Sequence, residues 1–169
     1  MEDAGGSLRS GLVGLVWLVL ASDAAAQAAP AGRVAASVAR VFGAGARADT
    51  VRVDAASVLR VSRGDSLLGF AVVRDAMGKD QPITFLVATD PADRLKDVDI
   101  LAYRESYGGE VAYDSWRRQF RGRTTAESLQ VGRDIRSISG ATISVNAVTL
   151  GVRQALADLT RWHRSGALR

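Results

Sequence analysis

Cysteine is absent from the 169 residues, and histidine occurs once, at His163. With no thiolates and a single imidazole, the chain has no ligand set for a zinc site or an iron–sulfur cluster, so no resident metal is expected. Disulfides are excluded too, which leaves packing alone to stabilise the fold. Lysine is nearly missing, at Lys79 and Lys96 only, so arginine carries the positive charge. In stretches such as "WRRQFRGR" and "TRWHR" the basic residues are scattered and form no extended glycine–arginine repeat, which argues against a nucleic-acid partner. His163, with no Ser or Cys nucleophile motif beside it, reads as a surface histidine.

What is present fits one folded domain. Hydrophobic residues make up 47% and charged residues 24% of the chain, the balance of a globule and not of a disordered tail. The formal charge of +4 suits an anionic partner or surface.

The uncharged stretch Gly11–Ala21, "GLVGLVWLVLA", is too short to span a bilayer, which takes about 20 helical residues. Followed by the small-residue segment "SDAAAQAAPAG", it reads as a secretory signal peptide. Glu2 and Asp3 make its start less basic than usual, and an uncleaved N-terminal anchor is the alternative. Cleavage after Ala26 or Ala28 would remove Arg9 and the acids Glu2, Asp3 and Asp23, leaving a more basic domain. The expected organisation is a signal or anchor over 1–28, one domain over 33–162 and a C-terminal tail over 163–169, exported to the periplasm or held at the outer face of the cytoplasmic membrane.

Within the domain, "RVAASVARVF" at 33–42 places Val34, Val38, Val41 and Phe42 on one helical face, and "GAGA" ends that helix. Residues 50–62 have strand character broken by "DAAS", and "SRGDS" makes a polar turn. Three strand candidates follow, "LLGFAVV" (67–73), "ITFLVAT" (83–89) and "VDILAY" (98–103). Their connections are too short for crossover helices, so antiparallel pairing is expected. A short helix over "YDSWRRQF" has Asp114 or Ser115 as its expected N-cap and Trp116 and Phe120 on one face. Val148, Val152, Ala155 and Leu159 mark a final amphipathic helix. The expected fold class is α+β, a small antiparallel sheet packed with helices in a single domain.

Immediately before that last helix stands "SISGATIS", residues 137–144. In its plainest role Gly140 shapes a turn, and Ser139, Thr142 or Ser144 caps the helix. The same physics supports a second role. A helix N-terminus behind a glycine presents backbone N–H groups and partial positive charge, a cradle for phosphate, and a hydroxyl placed there can be esterified by one.

"ISGATIS" followed by an apolar helix resembles the attachment signature of FMN-binding domains in the small flavin-carrying subunits of sodium-pumping and Rnf-type respiratory complexes. "RVFGAG" (40–45), "GKDQPITFLVATD" (78–90) and "DILAYRESYGGEVAYDSWRRQFRG" (99–122) are similar to further segments of that family in the same order, so the resemblance spans about residues 39–159. It implies FMN joined through its phosphate to Thr142 by a separate flavin transferase, with Ser139, Gly140 and Ala141 forming the turn. It also implies that Glu105, Ser106, Tyr107, Gly108 and Gly109 face the cofactor, and Tyr107 or Trp116 is of the right type to stack on its ring. Gly78 and Lys79 form a second glycine-basic turn able to approach the phosphate, with a solvated loop as the plainer role.

The implied function is electron carriage to or from membrane redox proteins. No acid/base or nucleophile constellation stands beside the motif for an independent hydrolase or transferase. The chain departs from the family at Arg136, where an Asp often precedes the motif serine by three residues; Asp134 lies two residues earlier. The rival expectation is therefore an exported binding or assembly module of the same fold without covalent flavin.

Overall fold

The structure, a computed structural model, describes residues 31–169; the expected signal segment, 1–28, lies outside the described residues. Helix α1 (Ala31–Phe42) is followed by five strands, β1 (Arg47–Val53), β2 (Ala56–Arg63), β3 (Ser66–Met77), β4 (Pro82–Thr89) and β5 (Leu95–Ala102). They pair antiparallel in chain order, as connections of a few residues require. A short helical passage comes next, α2 (Asp114–Arg117) between two 3-10 turns, and then the long helix α3 (Thr142–Arg164). The fold is α+β.

The sheet is covered on both faces. Val145, Val148, Val152, Ala155 and Leu159 of α3 pack on Val58, Phe70, Val72, Phe85 and Val87, and Trp116 and Phe120 close the end of this core. Val38 and Phe42 of α1 cover Val61, Ala71, Leu86, Ala88 and Leu101 on the other face. Each buried valine, leucine or phenylalanine among them contributes roughly 1.5–3 kcal/mol by leaving water. Burial from both sides explains why β4 reads as a continuous apolar run, while edge strand β1 is mostly exposed.

Several local expectations are corrected. The N-cap of α2 is Tyr113, without a side-chain cap bond. Asp114 is instead the first helical residue, and its carboxylate turns to Arg121. Trp116 and Phe120 do share a face, with ring centroids 5.2 Å apart and nearly perpendicular planes. Strand β3 runs on to Met77 and shortens the next turn to four residues, Gly78–Gln81. His163 is not a plain surface residue, because its Nδ1 lies 2.7 Å from Asp93 Oδ1 and its ring 4.8 Å from that of Phe70. Residues 163–169 pack with the domain: α3 continues to Arg164, and Leu168 returns into the core.

Candidate functional site

Three separated segments meet at one end of the sheet. The β3–β4 turn brings Lys79 and Asp80, the loop leaving β5 brings Glu105, Ser106 and Tyr107, and the start of α3 brings Gly140 to Ser144. Together they line a cleft of about 350 Å³, within the size range of small-ligand sites. Larger concavities occur on a flank of α3, about 410 Å³, and between α1 and β1–β2, about 500 Å³. The second of these is lined only by alanine, valine and leucine, with no polar side chain to hold a ligand, and the first lies along the middle of α3, away from its N-terminus.

The tetrapeptide Ser139–Thr142 divides its work. Ala141 N–H donates to Ile138 O at 3.0 Å, closing a turn whose third residue, Gly140, has φ 79°, where glycine avoids the left-handed penalty. Ala141 is buried in the core and serves as the N-cap, with no side-chain cap bond. The expected caps at Ser139, Thr142 and Ser144 are therefore corrected, since the three hydroxyls are otherwise disposed. Ser144 is buried and its Oγ lies 2.9 Å from the Tyr103 hydroxyl, whereas Ser139 and Thr142 are exposed. With no side-chain cap, the N–H groups of Thr142, Ile143 and Ser144 have no acceptor among the described residues. An exposed hydroxyl, three orphan N–H donors and the Lys79 ammonium thus border one cleft, a donor set that suits a phosphate ester.

Hydrogen bonds tie the walls of the cleft together. The Tyr103 hydroxyl donates to the carbonyl of Tyr107 and also meets Ser144, linking the β5 loop to α3. Gly108 is buried under this contact with φ 87°; a Cβ there would lie 2.6 Å from the Tyr103 hydroxyl and 3.0 Å from Ser144 Oγ. Glu105 Oε1 accepts from Asp80 N–H at 2.7 Å and Gln81 N–H at 3.0 Å, linking the same loop to the β3–β4 turn. These backbone donors, that of Gln81 foremost, hold the Glu105 carboxyl below its ordinary range. Gly78 is small because a side chain there would strike that carboxylate.

Comparison with known proteins follows the same outline. Residues 78–157 match the FMN-binding domain, from the turn at Gly78 through most of α3. This stretch belongs to the FMN-binding domain family. Its cofactor is FMN, and the segments that frame the cleft, from Lys79 to Ser144, all fall inside the matched residues. The resemblance read at "RVFGAG" lies outside them. A relative from Clostridium ljungdahlii, one of the subunits of a proton-translocating ferredoxin:NAD(+) oxidoreductase complex, is 31% identical over 106 residues. That alignment covers 58% of this chain and 57% of the relative, so the chain spans little more than half of the relative's length.

Not every residue singled out in the sequence reaches the cleft of this FMN-binding domain. Thr142, Gly140, Ala141, Glu105, Ser106 and Tyr107 line it, while Gly108 and Gly109 stand behind the wall. Tyr107 is 84% exposed, but Trp116 is buried, donating Nε1–H to the carbonyl of Arg136 at 2.9 Å, and lines a neighbouring groove instead. Lys79 stands on the cleft rather than in a detached loop. Sequence reasoning missed Tyr103, whose only signal was a tyrosine at the end of an apolar strand. Arg136 is held by its main chain, through Trp116 and through Gln119 Oε1 at 2.8 Å from its N–H, so the loop does not depend on the side chain at that position. Asp134 caps Gln130 N–H and Ser128 Oγ–H, contacts that depress its pKa strongly and commit it to the preceding turn.

Proposed function

We propose that this is an exported electron-transfer protein that carries FMN as a phosphoester on Thr142, attached by a separate flavin transferase. The reading rests above all on the position of Thr142: exposed, first in a 23-residue helix with unoccupied N–H donors, on the wall of a cleft inside the matched FMN-binding stretch. Those donors and Lys79 bind and orient the phosphate, and the turn at Ser139, Gly140 and Ala141 presents the hydroxyl. Ser106 and Tyr107 bound the space left for the rest of the cofactor, and Glu105, with Gly108 and Gly109, holds that wall in place. Bound FMN accepts two electrons and can release them singly, which suits a carrier between membrane redox proteins. The relative's description as part of a ferredoxin:NAD(+) oxidoreductase complex supports such partners. No helix of the described residues is long and apolar enough to cross a membrane. Attachment at the outer membrane face, or release into the periplasm, then depends on residues 1–28. A covalent tether suits that location, because free FMN outside the cytoplasm is lost by dilution.

The deciding experiment is the intact mass of the chain after coexpression with a flavin transferase. The expected result is one added FMN, absent in Thr142→Ala and retained in Thr142→Ser. A chain that gains no mass, or a Thr142→Ala chain that keeps it, overturns the covalent reading and leaves a module of the same fold without covalent flavin. Arg136 favours that second reading if the transferase requires an acid at this position. The variant Arg136→Asp tests it directly, since a large rise in the modified fraction would identify Arg136 as the obstacle.

A further inference from the structure

The two edges of the sheet differ. Along β5 the outer edge is covered: Leu95 N–H donates to Arg123 O and Leu95 O accepts from Gly122 N–H, both at 2.7 Å, and the Arg117 guanidinium donates to the carbonyl of Val98. Strand β1 has no such cover among the described residues. Its two-residue turn, Asp54 and Ala55, makes Val53 and Ala56 a hydrogen-bonded pair. Alternation along an antiparallel ladder then points the N–H and C=O of Ala48, Thr50 and Arg52 away from β2, and no loop or turn among the described residues takes them up. Of the devices that protect an open edge, β1 lacks proline, lysine and a bulge: its register with β2 is unbroken, whereas the β2–β3 and β4–β5 ladders each contain a shift. Its charges are of both signs. Arg47 and Asp49, two residues apart and so on one face, are both exposed. Asp49 stands opposite Arg60 in the β1–β2 register without forming an ion pair. The other face presents Ala46, Ala48 and Thr50, beside the apolar groove bordered by Ala31, Val34 and Ala35 of α1.

From this arrangement we infer that β1 is the docking edge for a second copy of the chain, which adds its own β1 antiparallel across a two-fold axis at Ala48. Ala48 then exchanges main-chain hydrogen bonds with its counterpart, and Thr50 N–H of each copy reaches Ala46 O of the other. Arg47 comes opposite Asp49 of the second copy, and Asp49 opposite its Arg47. These are non-hydrogen-bonded pairs, in which side chains approach most closely. Moving the axis by one residue would set Arg47 against Arg47 or Asp49 against Asp49, so charge favours this register over its neighbours. On the α1 side the small residues at the axis bring the two apolar grooves together, which removes them from water. An apolar segment such as Gly11–Ala21 would fill the groove without regard to Arg47 and Asp49, which makes charge the discriminating readout. Through Ser62, Arg47 is in register with Leu67 near the start of β3, whereas the turn that borders the cleft follows its end at Met77. The pairing therefore stands at the far end of the sheet from both clefts and does not depend on the flavin reading.

The chain has no cysteine, so single-cysteine variants of the full chain report the contact directly. A48C treated with a short bis-maleimide should give a cross-linked dimer. R52C should not, because four residues from the axis in each copy place the two thiols roughly 27 Å apart. Light scattering of the unmodified chain should give twice its mass. D49R sets like charges against each other at two symmetric positions and should weaken the pair about tenfold on dilution. The charge swap R47D/D49R, which restores opposite charges in the same register, should recover both the mass and the A48C cross-link, a recovery that damage to the fold does not produce. A monomeric chain in which A48C forms no cross-link overturns the inference. So does a dimer that D49R leaves intact, since that association would belong to the groove or to residues 1–30 alone. Loss of the dimer in D49R that the swap fails to reverse counts against the proposed register and overturns it as well.

Discussion

At the scale of single residues, the site depends on small side chains where two segments come close. Ala141 must be small because Gly108 lies against it; a Cβ on Gly108 would stand 3.2 Å from that of Ala141. Gly108→Ala would add a left-handed penalty to this collision, and we expect it to cost at least about 2 kcal/mol in urea unfolding. Tyr103→Phe keeps the ring and removes both hydroxyl contacts. About 1–2 kcal/mol should be lost, with weaker FMN retention by a Thr142→Ala chain incubated with free cofactor, measured by fluorescence quenching. These roles were only half legible. The left-handed turn at Gly140 follows from its neighbours in the sequence, but the crowding around Gly108 comes from Tyr103 and Ser144, the latter 36 residues away, and no local pattern reports it.

Among the elements, α3 is the shelf on which the site stands. Its N-terminus opens on the cleft, and its far end is tied by Trp162 Nε1–H to Asp54 at 3.0 Å and by His163 to Asp93. Between them Gly151 lets the helix approach the sheet, since a Cβ there would lie 2.6 Å from Phe85 Cζ. Gly151→Ala, which raises helix propensity, should nonetheless destabilise the domain by about 1–3 kcal/mol in thermal unfolding, as overpacking outweighs propensity. The β3–β4 turn is held by a charge. Because the Glu105 pKa is lowered on folding, its contribution is present above the ordinary carboxylate range and is lost as pH falls through the depressed value. The amide resonances of Asp80 and Gln81 should shift over that acid window and stay still in Glu105→Gln, whose amide oxygen can accept the same bonds without titrating. The strands and both long helices were legible as periodic patterns, whereas the β3–β4 turn looked like a solvated loop. Its contact with Glu105 crosses two strands, which sequence spacing does not record.

For the whole molecule, a charge network ties elements together in a chain that has no disulfide to do so. Asp97 is buried where α1, β5 and α2 meet, with Arg40 at 2.8 Å, Arg121 at 3.3 Å and its own Val98 N–H at 2.9 Å. Burial is the largest single influence and pushes its pKa up, but the arginine and backbone contacts together outweigh it and hold the carboxyl below its usual range. The stabilisation is therefore full above the unfolded-state pKa and disappears as pH falls through the lowered folded value. Asp97→Asn should cost roughly 1–3 kcal/mol near neutral pH, because it removes the buried anion shared by Arg40 and Arg121 and leaves them on Asp99 and Asp114 alone. It should also flatten the acid limb of stability against pH, followed by circular dichroism.

By itself, the sequence determined the class of the fold, the antiparallel order of the strands and the cofactor family, because each is written in local periodicity, in connection lengths or in a contiguous motif. Tertiary structure alone decided which hydroxyl stays in solvent and which is spent inside. Thr142 and Ser144 are two residues apart in one motif, yet one borders the cleft and the other is buried against Tyr103. On a helix that spacing turns side chains to different faces, and only the position of the β5 loop settles which face is covered.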